Sequence, residues 1–450
     1  MPRTDKLSSP RRYSWRKDLN SYQWFVLAMA CMGWMFDTMA QQLFALGRRD
    51  AMRDLLGAGA SSAYISEQAG YATSIFMIGW ALGGVIFGVL GDRIGRVKTM
   101  IMTILCFTVF TGLSVFATGS WDFNAYRFLC GLGVGGQFAV GVALVAETVP
   151  DRARPYALGA VQACSTLGNM LAALTGILAG KIEQSGMIAG AWRYMFLAGA
   201  LPAPLALLVF RKLKEPEQWL KARNERRQLG SFRELLSDRR WRRNALAGLA
   251  LAFAGVVGLW GIGFFSYDLL RGPLEQAFRA EGYTGAELAG KVTTWIGITS
   301  LLQNLGAFCG IQSFTWLTQK TNRKKAFLVS FAAAMSMTAY TFWNLKTFAD
   351  IFWMIPLMGF SQLALFGGYA IYLPELFPTR LRSTGTSFCY NVGRFAAAVG
   401  PFTLGLLTSR TFAGHSEPMR YAGVTMCLTF LVGMAALPFL PETKDQPLPE

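Results

Sequence analysis

Charge is scarce in this chain. Only 15% of its 450 residues are Asp, Glu, Lys or Arg, against about 25% in ordinary soluble domains. Histidine is scarcer still: His415 is the only one, beside polar residues in a short loop. That leaves almost no basis for histidine-dependent catalysis or metal binding. The seven cysteines, at 31, 106, 130, 164, 309, 389 and 427, all fall in apolar runs without a CxxC pair, which argues against a disulfide framework or a zinc site. No metal and no cofactor is expected. The N-terminus also lacks a short apolar stretch ending in a cleavage site. Its first apolar run is followed by eleven more and is expected to be a span, not a cleaved signal.

Apolar surface is what the chain has in excess. Apolar residues make up 53% and aromatics 14%, with 34 Phe and 13 Trp. One soluble core could not hide so much, and disorder or a fibrous repeat is excluded. The composition is that of an all-α protein dissolved in a bilayer, where a span needs about 20 mostly apolar residues. Twelve such runs occur, at roughly 22–46, 68–90, 99–118, 122–146, 156–179, 191–210, 244–269, 292–316, 326–345, 350–373, 385–408 and 421–440. The expected organisation is a tail, 1–21, a six-helix half, 22–210, a central loop, 211–243, a second half, 244–440, and a tail, 441–450.

Basic residues orient these spans. With the N-terminus inside, 30 of the 43 Lys and Arg fall in cytoplasmic segments, 11 in outer loops and two within spans. Both termini are therefore expected in the cytoplasm, and the net charge of +17 reads as a topology signal. No nucleic acid is expected as partner: the basic run 211–227 is interrupted by acids and lies between spans, which suits a solvated helix on the inner leaflet.

The halves repeat. Glu147-Thr-Val-Pro150-Asp-Arg152-Ala-Arg154 follows span 4, and Glu375-Leu-Phe-Pro378-Thr-Arg380-Leu-Arg382 follows span 10, at an offset of 228. Arg93-Ile-Gly-Arg96 has a weaker echo in Lys320-Thr-Asn-Arg323, and Pro216-Glu217 one in Pro441-Glu442, at offsets of 227 and 225. Two halves in the same orientation imply a pseudo-twofold along the membrane normal and a substrate site between them near mid-membrane.

Gly91-Asp92-Arg93-Ile-Gly95-Arg96 between spans 2 and 3 resembles the signature loop of the major facilitator superfamily. Arg127-Phe-Leu-Cys-Gly131-Leu-Gly133-Val-Gly135-Gly136, Glu147-x-x-Pro150-x-x-x-Arg154, Glu375-x-x-Pro378-Thr, Glu215-Pro216-Glu217 and Pro441-Glu442-Thr443 are similar to its sugar-porter and organic-ion branches. The resemblance implies an alternating-access carrier with no enzymatic activity. The second signature loop departs from the pattern, with Gln319 where the first has Asp92, so a weaker charged gate is expected there.

Gly91 and Gly95 permit a tight turn, and Asp92 suits a helix N-terminus. Arg93 and Arg96 can pair with Glu147 or Glu375 across the inner mouth, where Arg154 and Arg382 also lie. The resemblance implies that such pairs hold the outward-open state; the plainer alternative is a set of topology anchors. Gly131-x-Gly133-x-x-Gly136 spells a dinucleotide fingerprint, but no strand precedes it and it lies within a span. Small residues there let helices approach closely.

Three ionisable residues sit well inside spans, where they are costly and usually functional: Asp37, Arg127 and Arg394. At 1.5 Å per residue, Asp37 lies ~14 Å and Arg127 ~8 Å below the outer ends of their spans, within side-chain reach of each other. Resemblance to proton-coupled sugar porters makes Asp37 the proton carrier and Arg127 the residue that tunes it; the alternative is a static salt bridge. Arg394 has no acid at comparable depth in its half. A substrate carboxylate would complete it, and organic-anion members of the superfamily likewise carry an arginine in span 11; the alternative is bonding to backbone carbonyls or Asn391. Gln41, Gln162, Asn169, Asn391 and Tyr369 are further expected to line the substrate site.

These readings point to a proton-coupled importer of a small organic anion in a bacterial inner membrane, monomeric, driven by the proton gradient. Its partners are the anion, protons and the bilayer. A neutral sugar or polyol is the alternative cargo, although span 7 lacks the paired glutamines of sugar porters. A transporter-like receptor is the alternative class.

Overall fold

The computed structural model describes residues 15–57, 59–184, 190–225, 229–262, 266–397, 403 and 407–449. The tail residues Arg3, Lys6, Arg11 and Arg12, the run residues Arg226 and Arg227, and 398–402 and 404–406 of the expected eleventh span lie outside them. The described residues form helices and turns, without a strand.

The first five expected spans are α1 (Ser21–Leu56), α2 (Ser62–Arg93), α3 (Arg96–Leu113), α4 (Ser120–Thr148) and α5 (Arg154–Gln184). α1 runs past the expected end near 46 because Ala51 and Met52 are buried in the core of the first half. The sixth span is broken at Pro202 into α6 (Ala191–Ala198) and α7 (Ala203–Lys212). Proline removes a backbone donor and cannot continue a helix without a break. Two short helices, α8 (Glu217–Asn224) and α9 (Phe232–Ser237), occupy the central loop.

In the second half, α10 (Arg239–Val256) passes into a π-helical turn, Val257–Ile262. It is followed by α11 (Ser266–Ala280), α12 (Gly285–Lys320), α13 (Arg323–Asn344), α14 (Phe348–Glu375), α15 (Arg382–Ala397), α16 (Pro418–Met426) and α17 (Thr429–Ala436). Eight of the described helical segments are long and apolar enough on their own to cross a membrane. The other expected spans are α1 and α12, with Gln41 and Gln42 or Gln303 and Asn304 at mid-length, the broken α6–α7, and α15.

Glycines set how closely the helices pack, and they do so twice. A Cβ on Gly79 or Gly83 of α2 would overlap the Phe128 or Leu132 carbonyl of α4. A Cβ on Gly306 or Gly310 of α12, each 227 residues later, would overlap the Pro356 or Phe360 carbonyl of α14. Gly131, Gly133, Gly135 and Gly136 all press on backbone or side chains of α2 and α3, as expected of small residues at membrane helix contacts. The sequence repeat is thus a repeat of packing.

The halves meet along two seams, α2 against α15 and α5 against α12. Gly88 takes the side chain of Ser387 at the first seam, and Gly159 takes that of Thr315 at the second. The small and larger partners have changed sides while keeping the offsets of 227 and 228.

Candidate functional site

One end of the bundle, which carries most of the basic residues, is closed by ion pairs. Asp92 at the end of α2 accepts hydrogen bonds from Ser383 N at 3.1 Å, Thr384 N at 2.8 Å and Thr384 Oγ1 at 2.6 Å. It therefore caps α15 of the opposite half. Arg96 pairs with Asp92 at 2.9 Å and with Glu147 at 2.8 Å, and Arg382 reaches across to Glu147 at 2.7 Å. None of these four side chains has exposed surface. Gly95 has φ +116°, and Glu215 packs where a Cβ would stand while accepting from the N–H groups of Arg96 and Val97 at 2.7 and 3.1 Å. Only glycine satisfies both constraints. Gly91 presses on Ser383.

Several expected partners differ. Arg93 is exposed and donates to Leu229 O at 3.4 Å rather than to Glu147 or Glu375. Glu375 pairs within its own half, with Arg323 at 2.9 Å, and accepts from Thr443 of the tail at 2.5 Å. The acid equivalent to Glu442 is Glu215, not Glu217: Glu442 accepts from Arg323 N at 3.0 Å as Glu215 does from Arg96 N.

Arg154 does not cross to the other half. Its Nε donates to Ala146 O at 3.1 Å, matching Arg382 Nε to Pro374 O at 3.2 Å, but its Nη2 is taken by Asp151. The equivalent of Asp151 is Thr379, a neutral side chain that leaves Arg382 available to Glu147. One acid in the repeated motif thus decides which arginine bridges the halves.

Deeper in, Asp37 is fully buried and accepts from Gln41 Nε2 at 3.1 Å, leaving Oδ1 without a hydrogen bond. The expected pair with Arg127 is not formed. Arg127 donates to Phe110 O at 2.9 Å and to Ser114 Oγ. Its guanidinium is boxed by Phe44, Phe123 and Phe196, with ring centroids at 5.7, 5.7 and 4.8 Å. Matching depth left helix rotation undetermined: Arg127 turns towards α3 and α6, and Cys130, one turn along α4, feels both Arg127 and Asp37. Among the described residues, Arg394 from the opposite half acts on Asp37 electrostatically, without an ion pair between them.

Arg394 is 1% exposed. Its guanidinium lies 3.7 Å from the Trp80 ring centroid and 4.5 Å from that of Tyr390. Nε donates to Asn391 Oδ1 at 3.2 Å, and Nη1 has no partner. Asn391 is itself fixed by donating to Ser387 Oγ at 2.9 Å and to Gly135 O of the other half at 3.3 Å. Phe138 stacks on Tyr390 at 4.1 Å, Trp34 tilts onto Phe138 at 5.0 Å, and Trp260 stands edge-on to Trp80 at 5.5 Å. Aromatic walls around one arginine were not legible, because Trp34, Trp80, Phe138 and Tyr390 look like ordinary span residues in the sequence.

The amides divide. Gln162 Nε2 donates to Ser165 Oγ at 3.3 Å while its Oε1 is buried without a partner. Asn169 donates to Asn304 Oδ1 across the second seam at 3.0 Å. Tyr369 is fully buried in the core of the second half, its hydroxyl donating to Leu251 O at 2.9 Å. Among the described residues no cluster of His, Cys, Asp or Glu could hold a metal.

The model of the Major Facilitator Superfamily matches residues 23–401. The chain is 29% identical to a Cupriavidus pinatubonensis protein named "Probable 4-methylmuconolactone transporter", over 96% of this chain and 94% of that one. It is 30% identical to the cis,cis-muconate transport protein of Acinetobacter baylyi, over 80% of this chain and 83% of that one. Among solved structures, the proton:xylose symporter XylE bound to 6-bromo-6-deoxy-D-glucose superposes with a TM-score of 0.73, at 16% identity, over 95% of this chain and 98% of that one.

Proposed function

The chain belongs to the major facilitator superfamily, and we propose that it is a proton-coupled importer of a small, planar organic carboxylate. The observation that carries this reading is Arg394: a buried guanidinium held between Trp80 and Tyr390, with Nη1 unpartnered. Arginine's planar fork matches a carboxylate, and flanking rings suit a conjugated or aromatic acid. The names of the two relatives, a probable 4-methylmuconolactone transporter and a cis,cis-muconate transport protein, support that cargo.

Asp37 is the proton carrier of this reading. Its charge acts on Arg394 of the opposite half, so an arriving carboxylate competes with it for one cation. A proton on Asp37 removes that competition and lets both charges enter together. The closed ion cluster at Asp92, Arg96, Glu147 and Arg382 is then the cytoplasmic gate, and both termini are cytoplasmic. Alternating access opens this gate after the anion has bound from outside.

The test is uptake by proteoliposomes of aromatic and muconate-type carboxylates, their amides and neutral sugars, with and without an inward proton gradient. Carboxylates accumulating uphill only with the gradient support the reading. One observation favours the sugar alternative, the unpartnered Oε1 of Gln162; uptake of sugars but not acids would establish it.

A further inference from the structure

A groove of about 890 Å³ opens on the cytoplasmic end beside the gate, between the start of α10 and the C-terminal tail. Arg239, Arg240 and Arg243 form one wall, and the chain from Phe439 to Pro449 forms the other. All three arginines are exposed, and none is paired with an acid among the described residues. Of the acids nearby, Glu375 is paired with Arg323, Glu442 and Asp238 accept main-chain N–H groups and keep their charge, and Asp445 of the tail stands outside the lining. With Glu375 matched by Arg323, three arginines stand against Glu442 in the lining, and the groove carries a net positive charge.

The fold does not require that charge. α1 begins the first half as α10 begins the second, and each starts from a capping side chain, Asn20 and Asp238. After Asn20 the chain reads Ser-Tyr-Gln-Trp-Phe; after Asp238 it reads Arg-Arg-Trp-Arg-Arg. The wall is also amphipathic. Phe439 is 59% exposed and Leu246, two turns into α10, is 52% exposed, so apolar surface continues from the arginines towards the bilayer. Arg243 Nε donates to Phe439 O at 2.9 Å and ties the charged wall to the apolar one.

The geometry points to a binding site for an anionic phospholipid, with its phosphate on Arg239, Arg240 and Arg243 and its acyl chain along Phe439 and Leu246. A basic pocket between helices on the cytoplasmic side suits such a headgroup, and the apolar wall distinguishes a lipid from a soluble phosphate. The inference is independent of the solute carried and needs only that this end meets a leaflet.

The test follows thermal unfolding of the purified full chain in zwitterionic phosphatidylcholine micelles titrated with phosphatidylglycerol. The expected result is a saturable rise in Tm with phosphatidylglycerol and none with added phosphatidylcholine, glycerol 3-phosphate or inorganic phosphate. Arg239→Gln/Arg240→Gln should raise the half-saturating lipid fraction by roughly tenfold or more. The charge-matched Lys98→Gln/Lys212→Gln, on exposed positions of the first half, should leave it unchanged. An equal response in the two double variants, or the same shift with inorganic phosphate, overturns the proposal. Native mass spectrometry of the wild-type protein gives a readout that does not depend on the variants folding. Preferential retention of phosphatidylglycerol supports the site, and equal loss of both lipids overturns it.

Discussion

Asp92 accepts the main-chain N–H of Thr384 at 2.8 Å, joining the end of α2 in one half to the start of α15 in the other. Its carboxylate takes two further bonds from Ser383 and Thr384 and pairs with Arg96. Asp92→Asn keeps the shape but loses the charge and one acceptor. Hydrogen bonds to charged groups contribute ~1.5–3 kcal/mol, so the open population should rise about tenfold or more. Accessibility of single cysteines placed on the two faces should increase on the cytoplasmic side and fall on the outer side. Unchanged accessibility on both would reduce the loop to a topology anchor.

Glu147 and Glu375 occupy equivalent positions but do different work. Glu147 serves Arg96 of its own half and Arg382 of the other, whereas Glu375 serves only Arg323 and the tail. Both Glu→Gln variants should lose stability, by ~3–5 kcal/mol for an orphaned buried partner. Only Glu147→Gln should also open the gate. Equal opening by the two would show that the bridge from Arg382 is energetically idle.

Asp151→Thr should act in the opposite direction. Asp151 holds Arg154 away from the seam, while its counterpart Thr379 leaves Arg382 able to cross. Arg154 already lies within electrostatic range of Glu375, and freeing it from Asp151 leaves its guanidinium able to pair across the seam. The variant should favour the closed cytoplasmic face and slow its opening. The same cysteine reporters measure this, and a more open face would refute it.

These motifs also show what a sequence can carry. The repeat was legible down to the offset because glycines at 79 and 83 and at 306 and 310 meet carbonyls in the same way. The residues of the ion-pair cluster, Asp92, Arg96, Glu147 and Arg382, were legible because loop motifs keep their spacing. Azimuth around a helix was not. Depth along α1 and α4 agreed for Asp37 and Arg127, yet Arg127 faces a phenylalanine box and Asp37 accepts from Gln41 of its own helix. Tyr369 misled for the same reason, since half a turn of rotation separates a face towards the other half from a face towards the core.

Asp37→Asn should abolish uphill, proton-driven accumulation while leaving substrate exchange, because the amide cannot carry the proton but keeps the volume. The structure adds a sharper test of which arginine matters. Combined with Arg394→Gln, Asp37→Asn should be non-additive in thermal stability; combined with Arg127→Gln, it should be additive within ~0.3–0.5 kcal/mol. Coupling to Arg127 alone would restore the pairing expected from depth. Unchanged uphill uptake in Asp37→Asn proteoliposomes would remove Asp37 from the proton path.

The proposed anion reading rests on Arg394. A charged side chain at mid-membrane costs at least ~2.5–3.5 kcal/mol on insertion scales. Stacking on Trp80 and Tyr390, at 3.7 and 4.5 Å, offsets part of that, since a desolvated cation–π contact contributes up to ~2 kcal/mol. Nη1 still lacks a partner, and a bound carboxylate supplies one. Arg394→Lys retains the charge without the fork or the stacking plane and should weaken binding clearly. Arg394→Ala should lose ~2–5 kcal/mol of carboxylate affinity, as expected when one member of a buried charge pair is truncated. The amide of the same acid should bind wild type poorly and should not discriminate between wild type and Arg394→Ala. Titrating the acid and its amide against both proteins reads all four affinities. An amide that binds wild type as tightly as the acid, with Arg394→Ala indifferent to both, would sink the anion reading and favour the neutral sugar recognised by Gln162.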